Sequence, residues 1–176
     1  MRRAVRWAAL GALVLVVGLS VLLATRHPVS EATSAPSPLL GRAAPALVGS
    51  ELGGGRFDLV HLRGQVVVVS FWASWCGPCV REAPELSTFA WSMRHHGVRV
   101  VGVVFDDTVG AARAFSRHYG SLYPSVIDAG GQIASRYGVT SPPTTYIIGP
   151  RGTVGAELLG PVSAAQLRRA VARVRA

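Results

Sequence analysis

The order of apolar and polar positions after residue 42 predicts an α/β domain. Residues 65–71 and 98–105 form continuous apolar runs, rich in valine, with the length of buried strands. A helical pattern follows each run. The first helix should reach about His96, with a kink at Pro84, and the second should cover residues 109–119. Strands that alternate with helices indicate a sheet covered on both faces.

Shorter patterns complete the predicted domain. They indicate a short strand at residues 126–127 and a helical turn at residues 133–137. They also indicate two hairpins, one that pairs residues 46–48 with 56–58 and one that pairs residues 144–148 with 153–159. Ser163 and Gln166 have the spacing of a capping box, which predicts the start of the last helix. Asp106 and Asp107 follow the second long strand, and we interpret them as a turn and helix cap rather than as metal ligands.

The N-terminal segment has the pattern of a membrane-spanning helix. Residues 7–24 are eighteen residues without a charge, about 27 Å of helix against a hydrocarbon core of about 30 Å. Arginines at positions 2, 3 and 6 precede this stretch. Residues 1–25 are therefore predicted to be a single-pass anchor in the cell membrane, with the N-terminus in the cytoplasm and the remainder outside it. A cleaved signal peptide is the alternative, and it gives the remainder the same location.

Composition divides the rest of the chain into a tether and one domain. Residues 26–41 are rich in proline, serine and alanine and are predicted to be the tether. Residues 42–176 are numerous enough to form a single domain with a hydrophobic core. This part contains 14 arginines and 8 acidic residues, but no arginine cluster interleaved with aromatic residues. We therefore expect no nucleic-acid partner.

The chemistry is concentrated in the pentapeptide Trp75-Cys76-Gly77-Pro78-Cys79, which contains both cysteines of the chain. It connects the first long strand to the first helix. Residues three apart on a helix have Cβ atoms about 5–6 Å apart, a separation at which a disulfide can close. The spacing therefore predicts a pair of cysteines that are oxidised and reduced reversibly.

The position of this pair at a helix start suggests a different role for each sulfur. Unpaired N–H groups and the helix dipole favour a thiolate at Cys76, and Pro78 fits the first turn. We expect Cys76 to be the attacking, more exposed sulfur. Cys79 should be buried and should resolve the mixed disulfide.

Three other interpretations of the two cysteines remain open. A structural disulfide is one, although so small a loop constrains the unfolded chain little. A zinc site would need more ligands, and the nearest candidates, His95 and His96, are adjacent to each other. Cu(I) binding by the two soft sulfurs is the third. We expect neither a metal nor a cofactor.

Several segments resemble a known superfamily. LLGRAAPAL, GGGRFDLVHLRGQVVVVSFWASWCGPC and PPTTYII resemble thioredoxins. More narrowly, they resemble the membrane-anchored TlpA, ResA and CcmG/DsbE group, which is linked to cytochrome c maturation. The resemblance implies a thioredoxin-like fold: a central mixed β-sheet flanked by helices, with an N-terminal β-hairpin extension and one transmembrane helix.

The resemblance also implies roles for residues outside the cysteine pair. Pro143 matches the cis-proline that faces the two cysteines and helps an extended peptide to dock. Glu82 matches a buried acid that exchanges a proton with the second cysteine. The implied catalytic residues are Cys76, Cys79 and Glu82, and the implied substrate-binding residues are Trp75, Gly77, Pro78, Pro142 and Pro143.

Two positions depart from the family pattern. Ser70 occupies the site where thioredoxin has a buried aspartate, so Glu82 is the natural replacement for that acid. Pro142 precedes the implied cis-proline, at a position whose backbone pairs with substrate in the family. Proline has no N–H to donate, so one docking hydrogen bond should be missing.

The sequence therefore predicts an extracytoplasmic thiol–disulfide oxidoreductase that acts on protein thiols. The resemblance implies a reductase that keeps the haem-binding cysteines of apocytochrome c reduced, with electrons from a membrane thiol-transfer protein. Gly77-Pro78 between the cysteines resembles reducing members and favours this direction. An oxidase that installs disulfides in exported proteins remains the alternative, and a Cu(I)-binding chaperone is a further one.

Overall fold

The computed structural model of the protein describes residues 11–20, 32–34 and 36–175. The chain divides into two compact units, Met1–Ser30 and Glu31–Ala176. In the first unit, residues 11–20 are helical and exposed. The other residues of the predicted span, 7–10 and 21–24, lie outside the described ranges. Within those ranges, no helix combines the length and the apolar character that crossing a bilayer requires.

The second unit is built on a mixed β-sheet of six strands in the order β1-β8-β7-β4-β5-β6, with β2 and β3 as a separate pair. The eight strands are β1 Thr33–Ser34, β2 Val48–Ser50, β3 Arg56–Asp58, β4 Val66–Trp72, β5 Val98–Val104, β6 Ser125–Ile127, β7 Thr144–Ile148 and β8 Val154–Leu159. Strands β4, β5 and β6 are parallel. Strands β7, β8 and β1 continue the sheet in antiparallel order from β4. This arrangement confirms the predicted thioredoxin-like sheet and its N-terminal hairpin.

Helices cover both faces of this sheet. They are α1 Gly77–Met93, α2 Val109–Tyr119, α3 Gln132–Tyr137 and α4 Ala164–Arg175, with a short 3-10 turn at Leu59–Leu62. The side chains of β4 alternate between two apolar clusters: Val67, Val69 and Phe71 join one, while Val66 and Val68 join the other with α1 and α4. Every β4 residue is buried, which explains why its sequence is apolar at every position except Ser70 rather than alternating.

Most predicted boundaries agree with the structure to within one or two residues, and α2 agrees fully. Helix α1 ends at Met93 rather than near His96. Ser163 and Gln166 form the predicted capping box: each backbone N–H donates to the other's side chain. The predicted aspartate cap of α2 is wrong, because the cap is Thr108, whose hydroxyl accepts from the Ala111 N–H.

The segment predicted as a tether contributes to the sheet. Thr33 and Ser34 pair with Leu159 and Leu158 of β8, and Gly41 N–H donates to the Val154 carbonyl over 2.8 Å. An exposed edge strand has unpaired backbone groups that favour pairing with another segment. The domain therefore begins before the predicted boundary at residue 42.

The packing around β5 predicts a large effect of one small substitution. Gly102 has no side chain, and a Cβ at this position would collide with Ser125 Oγ and lie 2.5 Å from Trp72 Nε1. Trp72 is 3% exposed and its indole donates to Ser125 Oγ, so it has little room to move. We expect Gly102→Ala to lower the free energy of unfolding by about 1–3 kcal/mol in urea titrations, as overpacking of a core does.

Gly110→Ala is the matched control, because it adds the same methyl group where nothing lies within 4 Å apart from its chain neighbours and the backbone of its own helix. Gly110 is exposed on α2, and alanine favours helix more than glycine does. Equal unfolding free energies for the two variants would contradict the packing argument.

Candidate active site

The two cysteines lie where β4 ends and α1 begins. Cys76 is the N-cap residue of α1, and its Sγ accepts the Cys79 N–H over 3.2 Å. The two sulfurs form a disulfide, with 5.3 Å between the Cα atoms. The predicted pairing of Cys76 with Cys79 is therefore present, at the helix end whose dipole favours negative charge on sulfur.

Exposure around the pair is uneven. Cys76 is 3% exposed and Cys79 is 2% exposed, so residue exposure does not single out Cys76 as the sequence led us to expect. Gly77 is exposed and Pro78, in the first helical turn, is half-buried. The disulfide is therefore flanked by exposed backbone although its own residues are covered.

The two tryptophans near the cysteines differ in environment. Trp75 is 57% exposed, its ring meets Phe105 edge-on at 6.3 Å, and its indole N–H donates to the Asp106 carbonyl over 2.9 Å. Trp72 is buried and stacks on Phe115 at 4.9 Å. An exposed aromatic ring held by a hydrogen bond can contact a partner, and of these two tryptophans only Trp75 presents such a ring.

The loop before β7 contains the cis peptide bond that the resemblance implies, between Pro142 and Pro143. Thr144 pairs with Phe71 near the end of β4, so Pro143 lies at the end of the sheet from which the cysteine loop emerges. Pro143 is buried and Pro142 is half-buried. Pro142 can offer a docking peptide only its carbonyl, because proline lacks an N–H.

Glu82 lies one turn beyond Cys79 on α1 and is 1% exposed. Its Oε1 accepts the Val162 N–H over 3.1 Å, from the loop between β8 and α4. Burial raises the pKa of the Glu82 carboxyl from 4.5 to about 8, although the Val162 N–H and the hydroxyls of Ser70 and Thr145 act to lower it. Such a pKa allows the carboxyl to gain or lose a proton near neutral pH.

The structure adds one residue to this site that the sequence did not indicate. Thr145 is paired with Ser70 across β7 and β4, and both side chains are fully buried. From sequence, Ser70 was only the position without an aspartate, and Thr145 was only part of a strand. The available signal was that Ser70 interrupts the apolar run of β4, whereas Thr145 is one of several hydroxyl residues in β7 and is not singled out by the sequence.

Comparison with known proteins agrees with this geometry. Residues 40–157, well over half of the chain, match the model of the AhpC/TSA family. The chain belongs to the AhpC/TSA family. Thiol-disulfide oxidoreductase ResA of Bacillus thuringiensis is 33% identical to this AhpC/TSA protein over 128 residues, which cover 73% of this chain and 74% of the relative.

Solved structures show the same fold. MTB dsbF, in its mixed oxidized and reduced forms, is 31% identical with a TM-score of 0.68, covering 73% of this chain and 95% of that one. A secreted disulfide oxidoreductase of Mycobacterium tuberculosis, homologous to E. coli DsbE, is 31% identical with a TM-score of 0.64, covering 72% and 94%. With its CxxC disulfide at a helix start, this AhpC/TSA protein is a thiol–disulfide oxidoreductase.

Proposed function

We propose that this AhpC/TSA protein is a membrane-anchored reductase that works outside the cytoplasm and reduces disulfides in client proteins. The observation that supports reduction of client disulfides, rather than their formation, is the Glu82 carboxyl, which is buried one turn beyond Cys79. The burial that raises the pKa of this carboxyl also disfavours a negative charge on the neighbouring sulfurs, whose residues are themselves buried. The neutral disulfide does not suffer this penalty, so the pair should prefer the oxidised state and give up electrons readily.

The reaction has two exchange steps. The Cys76 thiolate attacks one sulfur of the client's disulfide, and the other client sulfur leaves as a thiolate that takes a proton. Cys79 then gives its proton to Glu82, and its thiolate attacks Cys76 Sγ. This step closes the Cys76–Cys79 disulfide and releases the second client sulfur as a thiolate, which takes up the proton that Glu82 received from Cys79. Two electrons and two protons reach the client.

The proposed location rests on the N-terminal pattern. Residues 7–24 are uncharged and follow three arginines, as in a signal-anchor with its N-terminus in the cytoplasm. A relative of similar sequence is described as secreted. An extracytoplasmic compartment is also where protein disulfides form and need reduction.

We further propose that the clients include the paired haem-binding cysteines of apocytochrome c, and that a membrane thiol-transfer protein supplies the electrons. The exposed Trp75 and the Pro142 carbonyl beside the cysteine loop are suited to an extended peptide. Gly77, between the two cysteines, is exposed, and apart from its chain neighbours and the backbone of its own helix no atom would lie within 4 Å of a Cβ at its position, so the surface there is open to a partner. The membrane anchor would keep the protein close to an electron donor in the same bilayer.

The reduction potential of the Cys76–Cys79 pair tests the direction. We expect a value at or below about −270 mV, the range of reducing thioredoxins. A value near −120 mV, as for a strong oxidant, would overturn the reductase proposal and favour the oxidase alternative. In that case the helix start would stabilise the Cys76 thiolate and hence the reduced form. Reduction of an oxidised peptide with a haem-binding CxxCH sequence, compared with a scrambled peptide of the same composition, tests the client.

A further inference from the structure

Three buried oxygen atoms meet where α1 covers β4 and β7. Ser70 and Thr145 lie opposite each other on the two strands, on the sheet face that packs against α1. Glu82 lies on α1, within interaction distance of both hydroxyls. Glu82 is 1% exposed, and Ser70 and Thr145 are each 0% exposed. Glu82 Oε2, Ser70 Oγ and Thr145 Oγ1 have no hydrogen-bond partner of normal geometry within the part of the chain that the structure describes.

The two hydroxyls can donate hydrogen bonds that the ionised carboxylate can accept. Each hydroxyl can rotate and has one proton to donate, and an ionised carboxylate only accepts. Ser70 and Thr145 are close enough to Glu82 that their hydroxyls favour its charged form. A buried polar atom without a partner is costly, and the cost is largest when the atom is charged. The least costly arrangement of the ionised state therefore turns both hydroxyls towards the carboxylate.

We propose that Ser70 and Thr145 are positioning residues that donate hydrogen bonds to the ionised Glu82 carboxylate and thereby decide when it can accept the proton of Cys79. The inference rests on the proposed function, since it concerns the same proton transfer. Ser70 thus keeps a role at the position where thioredoxin has an aspartate: it stabilises the acid supplied by α1 instead of carrying the charge itself.

None of the other groups considered near Glu82 serves as the hydrogen-bond donor to its Oε2 atom, which the two hydroxyls can reach. The Val162 N–H, from the loop between β8 and α4, already donates to Oε1. Tyr123 interacts with Glu82 electrostatically, and burial together with that carboxylate raises the pKa of the phenol well above its ordinary range, so Tyr123 stays neutral. Glu85, on the same helix, is exposed and accepts the Ala164 N–H. Cys79, one turn earlier, is the proton donor in the proposed reaction.

The test is an infrared titration of the oxidised, full-length protein, which follows the carbonyl band of the protonated Glu82 carboxyl against pH. Loss of this band in Glu82→Gln identifies it. Ser70→Ala and Thr145→Val should each raise the titration midpoint by about one pH unit, because each removes a donor to the charged form. Thr145→Ser retains the hydroxyl and should retain the wild-type midpoint.

Ser87→Ala is the control for loss of a buried hydroxyl from α1. Ser87 is 6% exposed, and its hydroxyl donates to the Gly120 carbonyl, away from Glu82. This variant should keep the wild-type midpoint. Unchanged or lowered midpoints in both Ser70→Ala and Thr145→Val would overturn the proposal. If one of these variants does not fold, the midpoint of the other decides the test.

The titration can be separated from the proposed function because the oxidised protein needs no substrate. A raised midpoint together with an oxidising reduction potential would leave the hydroxyl role in place and overturn only the reductase direction. A reducing potential together with unchanged midpoints would overturn the hydroxyl role and leave the reductase in place.

Discussion

Replacing Cys76 by serine should reduce disulfide-exchange activity by roughly a thousandfold or more, because a hydroxyl is a far weaker nucleophile than a thiolate. Replacing Cys79 by serine should also stop turnover, but at a later step. Cys76 at the start of α1 can still attack the client, whereas the resolving sulfur is absent. The Cys79→Ser protein should therefore accumulate as a mixed disulfide with its client.

Insulin reduction measures the lost turnover, and mass spectrometry of the protein mixed with an oxidised peptide measures the trapped adduct. Far-ultraviolet circular dichroism checks that both variants fold. An adduct on Cys76→Ser and none on Cys79→Ser would reverse the assignment of the two sulfurs. This outcome matters because the exposures of the two residues, 3% and 2%, do not separate them.

Glu82 should make the oxidised protein less stable as pH rises. The pKa of its carboxyl is 4.5 in its ordinary state and about 8 in the folded protein, mainly because of burial. The folded state therefore binds this proton more tightly than the unfolded state. The resulting stabilisation is fully present below about pH 4.5 and is lost as pH rises through about 8, with about 3 kcal/mol already lost at pH 7.

Urea titrations of oxidised Glu82→Gln at several pH values check this expectation. Glutamine cannot ionise, so the free energy of unfolding of Glu82→Gln relative to wild type should increase by about 3 kcal/mol between pH 4.5 and pH 7. Ser87→Ala removes a buried hydroxyl from the same helix and should keep the pH dependence of wild type. Parallel pH profiles for wild type and Glu82→Gln would contradict the expectation, because they would mean that the carboxyl has the same pKa in the folded and unfolded states.

The site combines a catalytic benefit with a cost in stability, and both arise from the buried Glu82 carboxyl. A carboxyl close to Cys79 is useful only if it can exchange a proton, and it can be held there only by burying it at a cost in stability. The Val162 N–H and the two strand hydroxyls limit that cost. Proteins commonly accept such local destabilisation where the chemistry requires it.

The sequence by itself determined the features that depend on neighbouring residues. The continuous apolar runs of β4 and β5 predict buried strands because such strands are covered on both faces. The spacing of Cys76 and Cys79 at a helix start predicts the disulfide, and the pairing of Ser163 with Gln166 predicts a helix start. Each of these signals is complete within a few residues.

The tertiary structure alone decided which distant residues meet. Thr145 reaches the site only because the β4–β7 register places it opposite Ser70, and the Val162 N–H reaches Glu82 across 80 residues of sequence. The pairing of β1 with β8 likewise turned part of a predicted tether into a strand. Local patterns cannot specify such contacts, because register and strand order follow from how the whole core packs.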